Sequence, residues 1–171
     1  MSSPAKSLFA AALALVASLG VARAQIKTGD VFPAPAAHGV VNLAGGELPS
    51  TQGRIVLVDF WASWCAPCKA SFPMMARLQK HYAERGFTVV AVGIDEKPAL
   101  AAAFWKKMAP PFPTLHDPAQ TLVQKVVPPT MPTSYLVDRE GRVRFIHNGF
   151  HGDATERELR KQIDTLLAET K

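Results

Sequence analysis

From residue 55 onward the apolar positions fall into blocks of two kinds. Ile55-Val56-Leu57-Val58-Asp59-Phe60 and Phe87-Thr88-Val89-Val90-Ala91-Val92-Gly93-Ile94 are nearly unbroken apolar runs, as expected of central strands covered on both faces. Between them Phe72, Met75, Leu78 and Tyr82 recur at steps of three and four. That spacing predicts one face of a helix running from about Cys65 to Arg85, and Gly86 stands where its C-terminal cap belongs. Leu100, Phe104 and Met108 mark a second amphipathic helix, stopped by Pro110-Pro111. A short helix is expected over 119–126 and ends at Pro128-Pro129. Tyr135-Leu136-Val137 and Val143-Arg144-Phe145-Ile146 flank Asp138-Arg139-Glu140-Gly141, the pattern of a hairpin. A last helix begins after Gly152. Asp153 and Glu156 have capping-box spacing there, and Leu159, Ile163, Leu166 and Leu167 form the apolar face.

Before residue 55 the pattern is weaker. Residues 26–38 hold Pro33 and Pro35 and read as extended. Val40-Val41-Asn42-Leu43, Ala44-Gly45-Gly46 and Glu47-Leu48 predict a small β-hairpin with a glycine turn. The order is thus hairpin, β, α, β, α, short α, β, β, α. Strand–helix alternation implies a parallel part of a sheet, and the terminal hairpin adds antiparallel strands. The expected class is α/β, a central mixed β-sheet flanked by helices, with no internal repeat and no second domain.

Residues 1–24 read as a leader outside the fold. Lys6 is the only charge before Arg23, and Leu8 to Val21 is an apolar stretch of 14 residues. A helix needs about 20 to cross a bilayer. Ala22-Arg23-Ala24 supplies a small-x-small cleavage pattern, so residues 1–24 are expected to be a signal peptide cut after Ala24. The folded domain then occupies 25–171. The alternative is an uncleaved anchor formed by residues 8–21. Export implies an oxidising compartment such as a bacterial periplasm.

Composition narrows the class further. Hydrophobic residues are 48% and charged residues 19% of the 171, which excludes a disordered or fibrous chain. The formal charge of +5 is not gathered into any basic run, so nucleic acid is not an expected partner. Two cysteines, Cys65 and Cys68, cannot build a disulfide-dense scaffold, and the core must supply the stability.

The chemistry concentrates in Trp64-Cys65-Ala66-Pro67-Cys68-Lys69, between a buried strand and a helix. At a helix N-terminus, free N–H groups and the macrodipole favour a thiolate on Cys65. Pro67 fits the first turn, where a missing donor costs nothing. Cys68 lies one turn on, so the two sulfurs can bridge. Cys65 is expected to be the exposed nucleophile and Cys68 the sheltered resolving thiol. Zinc would need four ligands, and no second Cys or His pair has a suitable spacing. A structural disulfide across three residues would close a tiny loop and stabilise little. Asp59 is anomalous in its apolar strand. Burial raises a carboxyl pKa, and Asp59, near Cys68 through a water, can take the thiol proton during resolution. The alternative is a strand-end aspartate near solvent.

The segment Val58-Asp59-Phe60-Trp61-Ala62-Ser63-Trp64-Cys65-Ala66-Pro67-Cys68-Lys69 closely resembles the thioredoxin active-site segment. Pro73 matches the proline that kinks the thioredoxin active-site helix, and Met131-Pro132-Thr133 matches the cis-proline segment opposite the thiols. The leader, the N-terminal hairpin, Val92-Gly93-Ile94-Asp95 and an insert over about 96–113 resemble the exported TlpA/ResA-like branch of the thioredoxin family. The resemblance covers about residues 30–169. It implies a thioredoxin-like fold and a thiol–disulfide oxidoreductase that reduces protein disulfides, in cytochrome c or copper-centre maturation. It further implies a membrane thiol reductant as electron donor. A cis Met131–Pro132 bond would turn the Met131 backbone outward beside Cys65, where a substrate strand can pair with it. Two departures stand out. The ResA-type pattern has a glutamate three residues after the second Cys, where this chain has Ser71. Asp59 instead matches the buried aspartate of thioredoxin itself.

The expected site is therefore Cys65, Cys68 and Asp59 for chemistry, with Trp64, Met131 and Pro132 for substrate. Trp61 is expected to pack over the active-site loop. His38, His81, His116, His147 and His151 read as surface or loop residues. Met74, Met75 and Met108 read as core or surface-helix residues rather than copper ligands. No metal, flavin, nucleotide or haem motif is present, and a monomer acting on disulfide-containing proteins is expected. Two other functions use the same thiolates: copper transfer, since thiolates suit Cu(I), and thiol oxidation. The Ala66-Pro67 dipeptide has no histidine to stabilise a thiolate, which disfavours the oxidase.

Overall fold

The structure, a computed structural model, describes residues 25–169. The expected leader and its cleavage point lie outside them. Among the described residues no helix is long and apolar enough to cross a membrane.

Among the described residues six strands and four α-helices follow in order: β1 (Val41–Asn42), β2 (Ile55–Trp61), α1 (Ala66–Tyr82), β3 (Phe87–Gly93), α2 (Pro98–Met108), β4 (Thr114–His116), α3 (Thr121–Val126), β5 (Thr133–Val137), β6 (Val143–Asn148) and α4 (Asp153–Ala168). They form one mixed sheet in the order β1-β4-β3-β2-β5-β6. β2 pairs parallel with β3, and β3 with β4. β5 and β6 join as the antiparallel hairpin that the sequence predicts.

Every residue of β2 and β3 is buried, as their unbroken apolar runs require. Alternation sorts β2 between two clusters. Ile55, Leu57 and Trp61 face the side packed by Phe72, Met75 and Leu78 of α1 and by Leu159 and Ile163 of α4. Val56, Val58 and Phe60 face the side packed by Phe32, Leu122 and Tyr135. Asp59 has the parity of Leu57 and Trp61, so its side chain belongs to the α1/α4 side.

Several expectations are corrected. The N-terminal hairpin does not form: Val41–Asn42 pairs antiparallel with Leu115–His116 at the sheet edge, and 47–48 adopts no strand. Asn42 turns its side chain inward on the loop instead, donating to the Glu47 carbonyl and accepting from Ala44 N–H. The expected insert contains α2 and leads directly into β4, a strand the sequence reading omits. In α2 the buried residues are Ala101 and Phe104, while Leu100 is exposed. Helix α4 has Gly152 as its N-cap with no side-chain cap. Glu156 points instead to Arg77 and Arg160, so the capping box is absent. His116 and His147 are buried rather than at the surface.

Candidate active site

The site stands at the C-terminal end of β2, where the chain leaves the sheet and enters α1. Cys65 is the N-cap of α1, in extended conformation, and Pro67 lies in the first turn. The Cys65 Sγ accepts the Cys68 backbone N–H at 3.2 Å. A helix start thus aims a donor at that sulfur, the arrangement that favours negative charge on it. Cys65 and Cys68 form a disulfide with Cα atoms 5.3 Å apart. Cys65 keeps 5% of its surface and Cys68 none. The difference is in the expected direction, although neither is exposed in the disulfide. Trp64 beside them is 66% exposed, a large apolar surface open to solvent next to the reactive bond.

Asp59 is 1% exposed, which removes the alternative of a strand end near water. Its Oδ2 accepts the Ser134 hydroxyl from β5 at 2.5 Å, and its Oδ1 is buried without a partner. Desolvation pushes its pKa from 3.8 up to about 7, against the lowering effect of the Ser134 hydrogen bond. A carboxyl titrating near neutrality inside the core is poised to exchange protons.

The loop holding the cysteines is fixed from below. Asp95, just beyond β3, accepts Ser63 N–H at 2.9 Å and the Ser63 hydroxyl at 2.7 Å. His116 Nε2 contacts the Asp95 carbonyl at 2.7 Å. Ser71 is buried and returns its hydroxyl to the Cys68 carbonyl at 2.8 Å. Trp61 is fully buried, stacked on Phe104 at 4.5 Å and edge-on to Phe72. It packs in the core against Phe72 of α1 and Phe104 of α2, in the cluster that also holds Cys65 and Cys68. A Cβ at Gly93 would stand 2.7 Å from Trp61 Cζ2, so this close approach requires glycine.

The Met131–Pro132 bond is cis. Pro132 is buried and Met131 half-buried, with Met131 against both core clusters. Met74 and Met75 are core residues. Among the described residues no group of three or more His, Cys, Asp or Glu side chains is arranged to hold a metal ion.

Sequence reasoning missed Ser134 and the Asp95–His116 support. A signal for Ser134 existed: it is a polar residue inside an apolar strand, in register with Asp59.

A mixed sheet with a Cys-x-x-C disulfide at a helix start defines a thioredoxin-like redox domain, and known proteins agree. The redoxin family model matches residues 27–163, and the chain belongs to that family. It is 34% identical over 97 residues to the thiol-disulfide oxidoreductase ResA of Bacillus subtilis (57% of this chain, 54% of that protein). It is 33% identical to the thioredoxin-like protein YneN of the same organism, over 68% of each. The chain thus spans about half the length of the ResA relatives it matches. A crystal structure of a candidate thiol:disulfide interchange protein DsbE from Chlorobium tepidum superposes with TM-score 0.72 at 34% identity. That match covers 84% of this chain and all of the other. The resemblance read from the active-site segment is borne out by these relatives.

Proposed function

We propose that this protein is an exported thiol–disulfide oxidoreductase that reduces disulfides of other proteins. The observation that carries the reading is the Cys65–Cys68 disulfide at the α1 N-terminus, with Cys65 Sγ accepting the Cys68 backbone N–H. In the reduced protein the Cys65 thiolate attacks a substrate disulfide. A bond forms between Cys65 Sγ and one substrate sulfur, the substrate S–S bond breaks, and the other sulfur leaves as a thiol after taking a proton. Cys68 then loses its proton and attacks Cys65 Sγ. This expels the second substrate thiol and leaves the protein oxidised.

Asp59 is the acceptor of the Cys68 proton in this scheme. Trp64, Met131 and Pro132 form the substrate face: the first is an exposed indole, and Met131 begins the turn into β5. The oxidised protein is returned to the dithiol by a membrane thiol reductant, in keeping with the family resemblance. The proposed compartment is the periplasm, reached through cleavage after Ala24. Cytochrome c or copper-centre maturation is the proposed setting.

The direction rests on Asp59 and on the bridge dipeptide. An ionised Asp59 opposes a second charge on nearby sulfur, and Ala66-Pro67 brings no cation to the thiolate. Both disfavour a specially stabilised reduced form, which a strong oxidant requires. Equilibration with glutathione or dithiothreitol buffers tests this. The expected potential lies nearer about −270 mV, as in thioredoxin, than about −120 mV, as in the oxidant DsbA. A potential above about −150 mV on that scale makes the protein a thiol oxidase.

A further inference from the structure

The buried carboxyl that takes a proton must also lose it, and no water-filled opening is needed if side chains carry it out. Across the sheet on the α1/α4 side, one row of register partners runs Ala91, Asp59, Ser134, His147 on β3, β2, β5 and β6. Cross-strand partners project from the same face, with Cβ atoms about 4.5–5.5 Å apart. Asp59 is bonded to Ser134 at 2.5 Å. His147 is buried, and its Nε2 meets Gln162 Oε1 on α4 at 2.7 Å. Beyond it the row reaches an opening lined by Asn148, Gly149, His151, Ala154 and Glu158.

The hydrogen-bond polarity at the His147 end of the row is set. Gln162 donates its amide N–H to Glu158 at 3.1 Å, so its oxygen faces His147 and accepts. The neutral imidazole therefore carries its proton on Nε2 and a lone pair on Nδ1. That nitrogen has no hydrogen-bond partner among the described residues. Such a row costs stability in a core unless its members are bonded, yet β5 and β6 keep Ser134 and His147 here among apolar neighbours.

We propose that Ser134 and His147 form the exit path for the Asp59 proton, from the buried carboxyl to solvent at the β6–α4 edge. The carboxylic acid gives its proton to Ser134 Oγ. No hydrogen bond joins Ser134 to His147 in the resting structure, where the hydroxyl is turned to Asp59. A change of the Ser134 χ1 rotamer carries Oγ toward its register partner, and Ser134 then passes its own hydroxyl proton to His147 Nδ1. The resulting imidazolium releases the Nε2 or Nδ1 proton to water at the opening, and the return of the hydroxyl resets the row. No electron moves in these steps. Asp59 has Ser134 on β5 and Ala91 on β3 as its register partners, and the cluster on its side of the sheet holds Cys65, Cys68 and the apolar Leu159 and Ile163 of α4. The charged or titratable groups near His147 are Glu158 on α4 and His151 in the preceding loop. The proposal rests on Asp59 as the Cys68 proton acceptor.

The test uses the full folded protein and measures protein-disulfide reduction against pH for four variants. His147→Ala opens space beside Gly149 and Ala154, and is expected to lose about 10²-fold in rate near neutral pH, the low end of what a placed proton-transfer group contributes. Added imidazole is expected to restore it. Ser134→Ala is expected to lose a similar factor and Ser134→Thr to keep the rate, while Asp59→Asn is slow and not restored by imidazole. A His147→Ala rate equal to the parent's, or a loss that imidazole leaves unchanged, overturns the path. An unimpaired Asp59→Asn overturns the underlying reading of Asp59 instead.

Discussion

Asp59→Asn in the oxidised protein isolates the cost of the buried carboxyl, because neither bridged sulfur titrates. Folding raises the Asp59 pKa from 3.8 to about 7, chiefly through desolvation. Below 3.8 both folded and unfolded chains hold the proton, and there is no penalty. As pH rises from there the unfolded chain ionises first. The folded state then binds more protons, so stability falls with pH until the folded carboxyl ionises near 7. Three pKa units at 1.36 kcal/mol each give a loss of about 4 kcal/mol, complete above neutral pH. Asparagine cannot ionise, although its buried amide protons lack partners and cost about 1–3 kcal/mol at every pH. The assay is urea denaturation of parent and variant at pH 4 and pH 9, where other carboxyls cancel in the difference. The stability of the variant relative to the parent is expected to rise by about 4 kcal/mol between the two. A rise under about 1 kcal/mol refutes the claim that Asp59 is buried as a neutral acid.

Three further outcomes follow from the same geometry. Limiting iodoacetamide on the reduced protein should label Cys65 ahead of Cys68, since Cys65 lies at the helix start and is the less buried; peptide mapping that finds Cys68 labelled first reverses the roles. Phe104→Ala should cost about 3–5 kcal/mol in urea unfolding, because that ring is the stacking partner of Trp61; a loss under about 1 kcal/mol shows that α2 does not hold the loop. Mass spectrometry of the exported protein should give Gln25 as the first residue, and a full-length membrane-bound form shows instead that residues 8–21 are an anchor.

The parts of the fold legible in the sequence are those set by local periodicity. β2 and β3 are apolar throughout because both faces are covered, and α1 shows its buried face in the spacing of Phe72, Met75, Leu78 and Tyr82. β4 was not legible. Three residues after Pro113 carry no alternation, and the strand exists only because β3 and β1 pair with it from distant parts of the chain. The same long-range edge pairing took Val41–Asn42 away from the local hairpin that Gly45-Gly46 suggest.

The site divides in the same way. Cys65, Cys68 and Asp59 were visible as a motif and as a polar residue in an apolar run. The burial of His116 and His147 was not, because each is tolerated inside only through one partner, the Asp95 carbonyl and Gln162. Those partners are 21 and 15 residues away in sequence, and no spacing rule joins them. Ser134 becomes meaningful only once the antiparallel register sets it opposite Asp59.

The most direct measurement of the central claim is a trapping experiment with a disulfide-containing protein substrate. Reduced Cys68→Ala protein should accumulate a mixed disulfide joined at Cys65, because the resolving thiol is absent, and Cys65→Ala should form none. Equal adduct on both variants, or adduct on Cys68 alone, would contradict the assignment of Cys65 as the attacking sulfur and with it the proposed cycle.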